Sequence, residues 1–222
     1  MGDRSELFLS LGARVVAVEP QEPCWRALRA RFGSRLEVVE AALGQAEGEA
    51  ELLVASHHTL SSLSREWTDA VRASGRFGEF DWDRRERVHV TTLDALVDAY
   101  GEPDFCKIDV EGYELEVLGG LSRPLRALSF EFTVERLDSR LAAAEHVDRL
   151  GMGRFNYSPG ESMRLEFGRW TDLEGILRFL RNPAHTPATF GDVYATGWTP
   201  CGAVSARQRR SAPWRPQDDP RR

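Results

Sequence analysis

The chain has 222 residues, 41 % of them hydrophobic, with 29 Lys+Arg against 35 Asp+Glu and a net charge of −6. That length builds one sizeable core, and the acidic balance excludes a general nucleic-acid footprint, because it repels phosphate unless a local basic patch overrides it. No apolar run reaches the ~20 residues of a membrane span, and Cys24, Cys106 and Cys201 are widely spaced with no CxxC pair, so the expectation is reduced thiols in a cytoplasmic protein, with neither disulfide frame nor zinc site.

Residues 4–11, RSELFLSL, read as the end of a helix stopped by Gly12. LFLSLGARVVAVEP is broken by Gly12 and Arg14 and is no signal peptide. RVVAVEP (14–20) is a short β-branched run, the pattern of a strand buried on both faces. A helix over 23–33 ends at Gly33, a second strand covers 36–43, and a third follows over 48–55. Residues 56–86 are polar, aperiodic and rich in Arg and aromatics, a long excursion with a helix near 64–73. RVHVTTLDALVDAY (87–100) passes from strand to helix, with Thr91 or Thr92 as N-cap. DFCKIDV (104–110) is another buried strand, and a short helix over 113–121 has Leu115 and Leu118 on one face. ALSFEF (127–132) is a strand, 138–150 a helix, and 154–158 with 162–167 a hairpin. The helix over 172–182 is closed by Pro183, and the segment from Ala203 is a Pro- and Arg-rich tail without periodicity, read as disordered.

Strands alternating with helices predict an α/β fold with a doubly wound, mostly parallel sheet over residues 1–200, and a separate tail over 203–222. In such a sheet ligands sit beyond the carboxyl ends of the strands. That places attention on Glu19, Ala42–Gly44, Asp109–Gly112 and Glu131.

Lys107 is the only lysine of the chain; every other one of the 29 Lys+Arg residues is arginine. It lies two residues before Asp109, so both point to one face of an extended strand. Two readings stand: an ion pair that stays charged because it is paired, or a partly desolvated proton carrier with a lowered pKa. Either favours a compact ammonium over a planar guanidinium. Glu111 could cap the next helix or take part in catalysis, and Gly112 permits a tight turn. Glu131 projects opposite Phe130 and Phe132, and a carboxylate in so apolar a strand is usually paired or functional. Glu19 ends its strand, where an acid can accept hydrogen bonds from a ribose diol, or simply precede a turn at Pro20. His57 and His58 point apart on an extended chain, so no shared metal is expected; one of them could act as a general base. No metal-ligand set is read from the chain. Trp67, Phe77, Phe80 and Trp82 suit either stacking on a polar ring or a satellite core.

KIDVEGYELEVLGGL resembles the signature segment of the FkbM-type methyltransferase family, and RVVAVEPQEPCWRAL resembles its second strand and following helix. VTTLDAL and the late GDVYA fit the same spacing, so the resemblance runs from about Gly2 to Ala195. It implies a class I, Rossmann-like fold that uses S-adenosylmethionine (SAM) to methylate a hydroxyl of a small acceptor, a sugar or secondary metabolite. Carried over, Glu19 with Pro20 holds the ribose, Ala42 and Leu43 lie by the adenine, and Asp109 sits between cofactor and substrate. Lys107, Glu111 and His57 join Asp109 as catalytic candidates, with base or metal catalysis left open. The family begins with a strand ending in a Gly-rich turn, of which only Gly2 and Asp3 remain here as cofactor contacts. The expectation is therefore a domain lacking its first strand, through a misplaced start at Met1 or as a natural fragment. The alternatives are a non-catalytic remnant and a nicotinamide-dependent oxidoreductase, the latter disfavoured by the lack of a GxGxxG motif.

Overall fold

The computed structural model of the chain describes residues 2–75, 78, 81–182 and 190–197. Phe77, Phe80, Pro183, Cys201 and the tail lie outside the described residues. Helix α1 (Asp3–Ser10) ends before Gly12, whose φ of 81° suits a residue without Cβ. Strands β1 (Val15–Val18) and β2 (Leu36–Val39) pair in parallel on either side of α2 (Glu22–Phe32) in the sequence. Cys24, Leu28 and Phe32 recur every four residues, so α2 buries one face against Leu36 and Val38.

The run 36–43 does not remain one strand. Ala41 N–H bonds back to Val39 O at 3.0 Å, a tight turn centred on exposed Glu40, whose carboxylate pairs with Arg29. Beyond it β3 (Ala42–Leu43), β4 (Gly48–Val54) and β5 (Arg84–Thr91) form a second sheet in the order β3-β5-β4. Helix α3 (Arg65–Ser74) lies in the excursion between β4 and β5; Ser64 Oγ accepts from Trp67 N–H at 3.1 Å and caps its start. Trp67 (1 % exposed) and Trp82 (4 %) meet edge to face at 6.0 Å, with Leu53 and Val71 around them. This pair is a satellite core, so the ring-stacking reading of these two tryptophans is corrected.

Thr92, as expected, caps α4 (Leu93–Tyr100), its hydroxyl accepting from Ala95 N–H at 3.1 Å. β6 (Cys106–Ile108), α5 (Glu114–Gly119), β7 (Ala127–Thr133), α6 (Leu137–Arg149), β8 (Arg154–Pro159), α7 (Leu173–Leu180) and β9 (Phe190–Thr196) complete the fold. The third sheet has the order β6-β7-β9-β8, with β9 antiparallel to both neighbours. Its apolar face packs Phe130, Phe132, Phe155 and Val193 against Leu118, Ala144 and Ile176 of the helices.

Two expectations need correcting. The strands form separate hydrogen-bonded sheets, and the parallel pairs β1–β2, β3–β5 and β6–β7 are matched by antiparallel β4–β5, β7–β9 and β8–β9. The architecture is mixed α/β, not one mostly parallel sheet. Among the described residues β1 pairs only with β2 and β6 only with β7. The hairpin expected over 154–158 and 162–167 is also absent: β8 pairs with β9. The segment is tied to β8 by single contacts: Glu166 N–H donates to Tyr157 O at 2.7 Å, Phe155 and Thr171 form an isolated bridge, and Asn156 Nδ2 donates to Phe167 O at 3.0 Å while its Oδ1 accepts from Phe167 N–H at 3.1 Å. Met163 has a φ of 54°, which takes the segment out of extended geometry.

Candidate active site

The register of the third sheet collects the charges. Lys107 lies opposite Ser129 and Ile108 opposite Phe130; Glu131 lies opposite Asp192 and Phe130 opposite Val193. Side chains alternate along a strand, so Ile108, Phe130 and Val193 enter the core while Lys107, Ser129, Glu131 and Asp192 share the other face. Asp109, two residues past Lys107, joins them.

Lys107 Nζ donates to Asp192 Oδ1 at 2.9 Å and pairs with Asp109 Oδ2 at 3.1 Å. Burial acts to lower the lysine pKa, but the two carboxylates outweigh it and hold the group well above its ordinary value. Of the two sequence readings, the ion pair stands; a proton carrier with lowered pKa does not fit this site. The ammonium reaches from β6 across β7 to Asp192 of β9 and is held between two carboxylates, where a compact point charge fits and a forked guanidinium would need more room.

The turn after β6 is held from two sides. Glu111 and Gly112 have φ of 52° and 85°, and Glu111 O accepts from Ser62 Oγ at 2.6 Å. Trp67 lies directly against Gly112. The excursion thus buttresses the turn that carries Asp109 and Glu111. Helix α5 begins after Tyr113 without a side-chain cap, and Glu114 instead ties the turn before it, its Oε1 accepting from Gly112 N–H at 3.1 Å and Val110 N–H at 3.3 Å. Burial pushes the Glu114 carboxyl up to about 7, with Asp109 adding to the rise and the backbone donors opposing it. Its folded pKa lies above the unfolded value near 4.5, so its contribution to stability is present below that value and is lost as pH rises through about 7. A Glu114→Gln variant keeps an acceptor for the turn and cannot ionise. Its unfolding free energy should lose most of the decline between about pH 4.5 and 7, as read by urea titrations at stepped pH.

Glu131 is the most crowded carboxylate. Burial first, then Glu111 and Asp109, push its pKa well above the usual range, while Lys107 opposes the rise. Oxygens of Asp109, Glu111 and Glu131 lie within 4.8 Å of one another. Arg140 of α6, only 3 % exposed, sits over the Phe132 ring at 4.4 Å from its centroid. Burial lowers the Arg140 pKa to about 10, and none of its side-chain nitrogens has a hydrogen-bond partner.

The fold therefore brings together Lys107, Asp109, Glu111 and Glu131 from the sequence reading, and adds Asp192, Glu114 and Arg140. Asp192 had a signal, as an acid in the apolar strand GDVYA, but its partner depends on register. Glu114 showed only as an acid in a helix first turn. His57 is not part of the carboxylate group; it is exposed, with Nδ1 at 2.7 Å from Thr59 Oγ1. Glu19 follows β1, where Oε1 accepts from Gln21 N–H at 2.8 Å, and burial raises its pKa. Pro20 is half-buried beside it, Ala42 is buried and Leu43 half-buried in β3. Gly2 precedes α1 and packs on Phe32, and the exposed Asp3 pairs with Arg31 at 2.9 Å. Both are engaged with α2 and not with the carboxylates.

Residues 5–181 match the Methyltransferase FkbM domain. The chain belongs to the FkbM methyltransferase family. The matched span of this FkbM-family chain holds Lys107, Asp109, Glu111, Glu114, Glu131 and Arg140, while β9 with Asp192 follows it. No curated protein is similar enough to count as a match. No helix among the described residues is long and apolar enough to cross a membrane.

Proposed function

We propose that this FkbM-family chain is a SAM-dependent O-methyltransferase acting on a hydroxyl of a small acceptor, a sugar or secondary metabolite, in the cytoplasm. We propose further that its three sheets belong to one Rossmann-like domain over residues 1–200, followed by the tail at 203–222. Family membership supports the reading. The single observation that carries it is the gathering of Asp109, Glu111 and Glu131 at the carboxyl ends of β6 and β7. The residues present suit the cofactor at one testable point. Glu19 Oε1 takes both Gln21 donors, and among the described residues no donor reaches Oε2, which would be available to a ribose hydroxyl. Pro20, Ala42 and Leu43 would line the nucleoside side.

SAM, when bound, supplies an electrophilic methyl group. The chain must align an acceptor oxygen with it, and most of the gain comes from that positioning. Asp109 or Glu111 would orient the acceptor hydroxyl and take its proton. Lys107 would hold the Asp109 carboxylate in place. Calorimetric titration with S-adenosylhomocysteine tests the reading. Saturable binding is expected, weakened at least about tenfold by Asp109→Ala; a folded chain that binds none would refute it.

A further inference from the structure

The carboxylate face is crowded around Glu131. Glu131 lies in reach of Asp109, Glu111 and Glu114, and its Oε2 is sealed from solvent without any hydrogen-bond partner. A buried carboxylate oxygen without a donor is costly, and like charges this close raise that cost. The two nearby cations do not relieve it. Lys107 Nζ is committed to Asp109 Oδ2 and Asp192 Oδ1. Arg140 faces the ring of Phe132, and none of its nitrogens bonds a carboxylate.

We propose that Asp109, Glu111 and Glu131 bind a divalent, oxygen-seeking cation of the Mg2+ or Mn2+ class. The donor set is all carboxylate, with no His or Cys in the group, which selects hard ions over Zn2+ or Cu2+. Oxygens on opposite sides of a bound Mg2+ lie roughly 4.2 Å apart. Donors already within 4.8 Å of one another close on such an ion through small side-chain rotations. Lys107 Nζ pairs with Asp109 Oδ2 at 3.1 Å, and a carboxylate has a second oxygen with which to meet the ion. The ion would supply the positive centre that Glu131 lacks, and its remaining positions would be filled by water or an acceptor hydroxyl, whose pKa it lowers. The ion's catalytic role rests on the methyltransferase reading; its binding does not.

The test is a Mn2+ titration of the 222-residue chain followed by electron paramagnetic resonance, with Mg2+ as competitor. Glu131→Gln and Asp109→Asn are titrated beside it, folding is checked by near-UV circular dichroism, and S-adenosylhomocysteine binding is measured on the same samples. Saturable Mn2+ binding displaced by Mg2+, and weakened more than about tenfold in both variants, is expected. Asp109 is the more exposed of the two, so Asp109→Asn carries the readout if Glu131→Gln fails to fold. Absence of saturable Mn2+ binding, or affinity unchanged in a folded variant, overturns the proposal. S-adenosylhomocysteine bound without Mn2+ overturns the metal site and leaves the methyltransferase reading standing. Mn2+ bound without S-adenosylhomocysteine does the reverse.

Discussion

Replacing Lys107 by methionine is expected to destabilise the protein by about 3–5 kcal/mol, the largest effect of any single substitution considered for this chain. The lysine Nζ sits between Asp192 and Asp109 at 2.9 and 3.1 Å, and Asp192 has only 11 % of its side chain exposed. Methionine matches the lysine stem in length, so the packing of the stem is nearly kept and the charge alone is lost. Asp192 is then left buried beside Glu131 without a counter-ion, and removing one partner of a buried pair costs far more than removing both. A second substitution, Asp192→Asn, should therefore restore part of the loss in the Lys107→Met background. Lys107→Arg should fall between, because the charge survives but the planar fork must fit between the Asp109 and Asp192 carboxylates. Urea unfolding of the four proteins decides the matter. A Lys107→Met midpoint within error of wild type would show that solvent, not the lysine, neutralises Asp192.

Gly112→Ala is the second large expectation, at about 2–4 kcal/mol. At this glycine φ is +85°, a conformation that disfavours any side chain, and an added Cβ would lie 2.3 Å from Trp67 Cγ. The tryptophan has nowhere to go: it is buried, with Trp82 against its edge, Val71 behind it, and its own backbone N–H bonded to Ser64 Oγ. The strain would be relieved by moving the turn, which carries Asp109 and Glu111. The variant should thus lose both stability and S-adenosylhomocysteine affinity. A smaller residue in place of the tryptophan opens space, so Trp67→Leu combined with Gly112→Ala should cost less than the sum of the single changes. Strict additivity would mean that the strain lies in the backbone dihedral alone and that Trp67 does not press on the turn.

How much of this was legible in the sequence can be judged element by element. The helices α2 and α4 were readable because the Gly33 stop of the one and the threonine cap of the other are local signals, while α3 was placed near 64–73 inside a stretch read as aperiodic. The segment 104–121 was readable as strand, tight turn and helix for the same reason, and its wording carried the FkbM resemblance. The strand expected over 36–43 failed because a single turn at Glu40 leaves apolar residues on both sides, and composition does not register such a break. The hairpin over 154–167 failed because strand pairing is a long-range choice: β8 took β9, more than thirty residues away, over its neighbour.

The candidate site divides along the same line. Lys107 and Asp109 are two residues apart, so the period of a strand was enough to put them on one face. Glu131 was suspect from the apolar residues around it. That Glu131 meets Asp109 and Glu111, and that Asp192 rather than Asp109 alone answers Lys107, depends on which strands lie side by side and in what register. Arg140 and Glu114 were invisible for a related reason: each looks like an ordinary surface charge on its helix until packing removes it from water. Local spacing, caps and one family signature belong to the sequence itself, because their physics acts within a few residues. The pairing of charges across three strands, and the pKa shifts that follow from it, were decided only by the tertiary structure, because desolvation and Coulomb interactions act between groups the chain keeps far apart until it folds.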